Sequence, residues 1–254
     1  MCSSDLWKHA KSAAKEAVLL STVGVIITTV SVAGFCHFLF HADWDISLLI
    51  GAVISSTDAA SVFSILRSGH LNLKYNTASL LELESGSNDP AAFMLTIIFI
   101  SVVNGDATKG FVIYTIIAQP LFGILIGTAT GLFAAYIMKR VKFDPGYDMV
   151  FMIGVMLFSF AAPEVFHGSG YLSTYLAGII LGNSDIQGKK NLVHFFDGMT
   201  GLAQILIFFL FGLLSTPSEI PQYFFIALLI SLFLTFVSRP VSTFLLLLPL
   251  GSTH

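Results

Sequence analysis

The sequence predicts an all-α, polytopic membrane protein with about seven to eight transmembrane helices, one of which is interrupted. Of its 254 residues, 55% are hydrophobic and only 11% are charged, whereas soluble chains carry about 25% charged residues. The hydrophobic residues form long continuous blocks and do not alternate with polar ones. This pattern predicts membrane-spanning helices and excludes a transmembrane barrel.

Net charge and cysteine content exclude other functional classes. The formal net charge of −3 gives no basis for nucleic-acid binding, and we expect no nucleic-acid partner. Cys2 and Cys36 are too few for a disulfide framework or a cysteine metal site. We expect Cys36, which lies inside an apolar block, to serve packing alone.

Short polar links separate eight apolar blocks, and we assign residues 16–250 to one transmembrane domain. Residues 1–15 are expected to be a non-native or cytoplasmic start, and 251–254 a tail. A helix needs about 20 residues to cross a bilayer, and block 171–181 is shorter than that. We expect residues 183–199 to form a link at the membrane interface. The blocks are 17–40, 46–66, 79–104, 111–138, 147–163, 171–181, 200–215 and 222–248.

Basic residues predict how these helices are oriented, because cytoplasmic links are enriched in lysine and arginine. They cluster before the first block and after the second, fourth and sixth blocks, so the chain enters its first helix from the cytoplasm. Lys109 is the exception in an outer link. The inner basic residues are Lys8, Lys11, Lys15, Arg67, Lys74, Lys139, Arg140, Lys142, Lys189 and Lys190.

The third block carries a cluster of polar residues in its first half. Glu84 and Asn88 are four residues apart, which places them on one face of a helix. Ser85 and Asp89 have the same spacing and extend this polar stripe, and Pro90 predicts a kink that frees a backbone carbonyl. These oxygen ligands suit a hard cation, and ionisable groups at membrane depth mark functional sites. The alternative is a polar stripe that only joins helices by hydrogen bonds.

A polar run also interrupts the second block. Ser55, Ser56 and Thr57 compete for backbone hydrogen bonds, which predicts a broken helix near mid-membrane. Asp58 either caps the second half-helix or binds an ion directly, and the sequence leaves both open. For Thr57 we favour a contribution from the backbone carbonyl over one from the side chain.

Arg239 is the one cation deep within an apolar block. An unpaired arginine at this depth is costly, so it requires an acidic partner. Glu84 is the preferred partner because it shares the polar stripe, and Glu82 is the alternative. We interpret the pair as structural, holding the third block against the last.

Three stretches together resemble the monovalent cation:proton antiporters, most closely the NhaP/CvrA-type bacterial members. They are Ser-Ser-Thr-Asp-Ala-Ala (55–60), Leu-Glu-Ser-Gly-Ser-Asn-Asp-Pro (83–90) and Ser-Arg-Pro-Val-Ser (238–242). The resemblance covers essentially everything after Lys15. It implies an inverted-repeat exchanger fold, of which this chain carries only part, since members have further helices at both ends. We therefore expect the open reading frame to be cut at both ends.

The resemblance also implies a site and an activity. Asp89 would bind the cation or the proton, surrounded by Ser85, Asn88, Asp58 and the backbone of Thr57, and the Glu84–Arg239 pair would be structural. The expected activity is exchange of Na⁺ or K⁺ for protons without a cofactor, by full-length homodimers in the bacterial inner membrane. Because Asn88 stands where a second carboxylate would, we expect electroneutral exchange.

Three other readings remain open at this point. Asp58 and Asp89 could form the dyad of an intramembrane aspartyl protease, although the motifs typical of those enzymes do not occur. A passive cation channel is the second reading. The third is a fragment that folds but transports nothing.

Overall fold

Helices make up the architecture in the computed structural model, which describes residues 16–57, 77–144 and 146–248, without the side chains of 77–80, 82 and 83. Eight helices occur in these ranges, and no strand does. This confirms the predicted all-helical class. The helices are α1 (Glu16–Phe40), α2 (Trp44–Ile54), α3 (Thr77–Val103), α4 (Lys109–Arg140), α5 (Tyr147–Glu164), α6 (Gly170–Asn183), α7 (Lys189–Leu214) and α8 (Ile220–Leu247).

Six of these helices are long and apolar enough to cross a membrane. The two short ones are α2, with 11 residues, and α6, with 14 residues. The sequence anticipated both, because α2 ends at the polar run and the sixth block is short. After α2 the chain leaves the helical path at Ser55–Thr57, and the expected second half-helix falls outside the described residues.

The expected interfacial link is the clearest difference from the sequence prediction. One continuous helix, α7, begins at Lys189, so residues 189–199 form its first turns. Leu192, which lies in the segment expected at the membrane interface, is buried in a cluster with Met152, Leu181 and Ile186. This packing holds the first turns of α7 against α5 and favours the early start of the helix.

Two helices contain a π-helical turn, a feature often found at functional sites. In α1 the turn covers Leu20–Gly24, and it packs against α3. In α8 the turn covers Leu234–Ser238 and ends directly before Arg239. In α3, by contrast, the helix continues through Pro90.

The helices pack as two groups that meet at α3. Helices α1, α2, α3 and α8 contact one another, and α4, α5, α6 and α7 form the second group. Helix α3 bridges the groups through smaller contacts with α4 and α6. One such contact places Gly86 against the ring of Tyr175. The predicted site therefore lies in the first group, next to its boundary with the second.

Glycines on α4 allow the closest packing in the second group. Gly123, Gly127 and Gly131 recur every fourth residue and face α6. A Cβ atom at position 127 would lie 2.5 Å from the carbonyl oxygen of Ser173. Small residues at this spacing let membrane helices approach closely and pack backbone on backbone.

Candidate functional site

The site forms where α2 breaks against the polar face of α3. At the end of α2, both the amide and the hydroxyl of Ser55 donate to the carbonyl of Ala52, at 3.3 Å and 2.7 Å. These bonds turn the chain out of the helix. Ser56 and Thr57 then lie opposite Asn88 on α3.

Asn88 connects Ser56 and Thr57 to α3 by hydrogen bonds. Its side chain is fully buried, and its Nδ2 donates to Thr57 Oγ1 and Glu84 Oε1, both at 3.1 Å. Its Oδ1 accepts from Ser56 Oγ at 3.2 Å. Both ends of the amide are thus engaged by the protein. Thr57 contacts α3 through its hydroxyl, and a contribution of its backbone carbonyl to cation binding stays a prediction.

The structure brings Arg239 to Glu84. Arg239 Nη1 lies 3.5 Å from Glu84 Oε1, and the two side chains are 27% and 12% exposed. The side chain of Glu82, the other candidate partner, lies outside the described residues. Arg239 also reaches the broken helix, since its Nη2 donates to the carbonyl oxygen of Ser55 at 2.6 Å.

Asp89 is the exposed carboxylate of the stripe. Its Oδ1 accepts a hydrogen bond from Ser56 Oγ. The carboxylate lines an open pocket of about 260 Å³. The other lining residues are Val53, Ser56, Ala92, Phe93, Thr96 and Tyr171.

Ser85 lies one helical turn before Asp89. Its side chain is 1% exposed, and its hydroxyl has no hydrogen-bond partner among the described residues. A buried polar group without a partner is costly, and it calls for a ligand that the hydroxyl can bind. Asp58, the remaining predicted ligand, lies outside the described residues.

Ser56 is the site residue that the sequence reasoning missed. From the sequence alone, Ser55 and Ser56 are assigned only a weakening of the helix, and no role for the Ser56 hydroxyl is predicted. The Ser56 hydroxyl instead lies within hydrogen-bond distance of Asn88 Oδ1 and Asp89 Oδ1, and these two acceptors share its one proton. Its position directly before Thr57-Asp58 is the one signal in the sequence that could have suggested it.

A second pocket opens on the other side of the broken segment. Its volume is about 270 Å³, and Thr57 and Glu84 face it. In the orientation that the basic residues predict, α3 would run outward and Glu84 would lie on the cytoplasmic side of Asp89. The pocket at Asp89 includes Tyr171, near the outer start of α6. The two pockets share no lining residue, and the predicted orientation would place them on opposite sides of the polar layer.

A helix that ends beside the polar face of another membrane helix is typical of the ion sites of secondary transporters. Comparison with known proteins gives the family directly. The family described as "Sodium/hydrogen exchanger, transmembrane" matches residues 1–254. The chain belongs to this family.

Individual relatives agree with this assignment. The "K(+)/H(+) antiporter NhaP2" of Shewanella sp. (strain MR-4) is 36% identical over 239 residues, covering 93% of this chain and 41% of the relative. The "K(+)/H(+) antiporter NhaP" of Alkalimonas amylolytica is 33% identical over 234 residues, covering 92% of this chain and 41% of the relative. The chain thus spans about two fifths of the length of these relatives.

A solved structure shows the same fold. The sodium proton antiporter MjNhaP1 from Methanocaldococcus jannaschii superimposes with a TM-score of 0.82, at 24% identity, over 96% of this chain and 61% of that one. The family consists of transporters and not of enzymes, so nothing here favours the aspartyl protease reading. The chain is a multi-pass membrane protein.

Proposed function

We propose that this protein exchanges a monovalent cation for protons across the membrane, with both competing for the carboxylate of Asp89. One observation carries the proposal: Asp89 is exposed to a pocket at the helix break, while Glu84 is held by Arg239. Of the two carboxylates, Asp89 is thus the one placed to exchange ligands with solvent. The cation is cargo in this cycle, which needs no resident cofactor.

Charge balance supports a one-for-one exchange. Asn88 is neutral and is occupied by Ser56, Thr57 and Glu84, so Asp89 supplies the charge that changes ligand. A carboxylate neutralised by either a proton or one monovalent cation carries the same net charge across in both directions. Exchange is then electroneutral. Asp58 is a proposed further ligand, because the resemblance to the antiporter family implies that it lies near Asp89.

Access from alternate sides follows from the two pockets. In the predicted orientation, the pocket that Asp89 lines would open toward the outer half of the membrane, and the pocket that Glu84 lines toward the cytoplasmic half. Between them lies the layer formed by Ser56, Thr57 and Asn88. We propose that a shift of the first helix group against the second, across the contact of α3 with α6, exposes Asp89 to each side in turn.

The proposed cation is K⁺ or Na⁺. The bacterial relatives carry names of K⁺/H⁺ antiporters, and the archaeal structural neighbour is a sodium proton antiporter. Hard oxygen ligands bind either ion. The bacterial relatives also support a location in the bacterial inner membrane.

A vesicle experiment tests exchange and its charge balance together. Everted vesicles containing the protein are acidified inside, and dequenching of a pH-sensitive dye is followed after addition of K⁺, Na⁺ or Li⁺. We expect dequenching that saturates with cation concentration, as a carrier requires. We also expect the rate to be unchanged when the permeant anion thiocyanate, added as its choline salt, collapses the membrane potential without adding a transported cation. A rate that never saturates indicates a channel, and a rate that depends on the potential contradicts electroneutral exchange.

Ser85→Ala tests the proposed role of the buried hydroxyl. Removing one cation ligand is expected to raise the KM for the cation roughly tenfold, which corresponds to about 1.4 kcal/mol, with a smaller change in maximal rate. Ser87→Ala, two residues away on the same helix, is the matched control and should keep the original KM. An unchanged KM in Ser85→Ala removes this hydroxyl from the site.

A homodimer is a separate proposal, implied by the resemblance of the sequence to the antiporter family. Helix α7 supports it, because its apolar residues from Leu202 to Leu214 are largely exposed in the described chain. Native mass spectrometry of the protein released from detergent tests it, and a purely monomeric species contradicts it.

A further inference from the structure

Arg239 contacts two separate elements through its two terminal nitrogens. Nη1 faces Glu84 Oε1 on α3 at 3.5 Å, and Nη2 donates to the carbonyl oxygen of Ser55 at 2.6 Å. The second bond is shorter and goes to the broken end of α2. We infer that Arg239 is a positioning residue whose main role is to cap this broken helix, while Glu84 holds the guanidinium in place.

The end of α2 needs such a cap. The last carbonyls of a helix lack intrahelical partners, and together they carry partial negative charge. In a membrane such groups must be satisfied within the protein. The amide and hydroxyl of Ser55 donate hydrogen bonds to the carbonyl oxygen of Ala52. Arg239 donates a hydrogen bond to the carbonyl oxygen of Ser55 itself. A charged donor at this end satisfies the hydrogen bond and also opposes the helix dipole.

The local structure of α8 supports this role. The π turn Leu234–Ser238 ends immediately before Arg239 and widens the helix there. An additional residue in one turn changes the direction in which the following side chains point. Ser238, the last residue of this turn, is fully buried, and this part of α8 packs against α1.

The cap belongs to a closed network around the break. Glu84 Oε1 accepts a hydrogen bond from Asn88 Nδ2 and also faces Arg239 Nη1. Glu84 therefore links Asn88 and Arg239, the two residues that contact Ser55–Thr57. Arg239 holds Ser55, and Asn88 holds Ser56 and Thr57. Ser56 in turn donates to Asp89. Loss of the cap would therefore displace a hydroxyl that contacts the proposed exchange carboxylate.

A double-mutant cycle separates the cap from a simple ion pair. This part rests on the proposed exchange at Asp89, measured as the KM for K⁺ or Na⁺ in vesicles. If Arg239 only neutralises Glu84, removing both charges in Glu84→Gln/Arg239→Gln restores the KM. We expect Arg239→Gln to raise KM about tenfold or more, Glu84→Gln to raise it less, and the double variant to match Arg239→Gln. A double variant with the original KM overturns the inference.

Hydrogen–deuterium exchange tests the cap without any transport measurement. In the purified protein, Arg239→Gln should accelerate exchange in peptides covering residues 51–57, and Glu84→Gln should do so less. Arg239→Lys serves where Arg239→Gln does not fold, because a single ammonium cannot reach both acceptors in the fork geometry of arginine. Arg140→Gln, at the exposed end of α4, is the control.

The two measurements have distinct outcomes. Unchanged protection of residues 51–57 in both Arg239 variants overturns the cap, whatever happens to transport. If the wild-type protein shows no cation exchange while the Arg239 variants still lose protection, the cap stands and the proposed function fails.

Discussion

Asp89→Asn is expected to abolish cation/proton exchange, reducing the rate at least a hundredfold to the level of vesicles without the protein. Asparagine keeps the size and the carbonyl oxygen of the side chain but neither titrates nor carries charge. It can still accept the hydrogen bond from Ser56, so the break should remain fastened to α3. The loss would therefore arise from the missing charge, because competition between a proton and a cation needs a group that binds both.

The matched control for this variant is Asp106→Asn. Asp106 is an exposed aspartate in the turn after α3, outside the polar layer. Its exchange rate should stay within about twofold of the original protein at equal amounts in the membrane. Normal cation-driven proton movement in Asp89→Asn would contradict the assignment of this carboxylate.

Gly127→Ala is expected to cause a large loss of stability for a change of one methyl group. The added methyl would lie 2.5 Å from the carbonyl oxygen of Ser173 and 2.6 Å from its Cα, and both are backbone atoms that no rotamer change can move. Helices α4 and α6 must separate, so we expect a cost of about 1–3 kcal/mol. At roughly 2–4 °C per kcal/mol, the apparent Tm in detergent should fall by several degrees.

Gly154→Ala provides the matched control. Gly154 lies inside α5, and a methyl group there would contact nothing within 4 Å. Alanine is favoured over glycine inside a helix by up to about 1 kcal/mol, so this variant should be as stable as the original or more so. Equal loss of Tm in both variants would show that the small-residue packing of α4 on α6 is not the cause.

The contacts that follow from the free-energy cost of burying a charged side chain could be predicted from the sequence. An arginine in an apolar block requires a carboxylate, and the structure brings Arg239 to Glu84. Helical spacing likewise places Asn88 and Glu84 on one face, and the two side chains are hydrogen-bonded. The helix break at Ser55–Thr57 follows from the local chemistry of hydroxyl side chains.

Contacts between distant segments could not be read in this way. The hydrogen bond from Arg239 to the Ser55 carbonyl joins residues 184 positions apart. Because every residue has a backbone carbonyl, the sequence does not indicate which carbonyl accepts this bond. The role of Ser56 depends on the register of the break against α3, which three similar hydroxyl residues do not specify. The start of α7 at Lys189 depends on the packing of Leu192 against α5 and α6, so hydropathy alone placed it too late.

Cation-induced proton release tests competition at Asp89 most directly. The purified protein is held in a weakly buffered detergent solution near neutral pH, and the pH is followed while K⁺ or Na⁺ is added. The account predicts saturable release of up to about one proton per chain from the original protein and none from Asp89→Asn. Equal release from both proteins, or none from a folded original protein at saturating cation over the pH range in which it transports, would contradict exchange at this carboxylate.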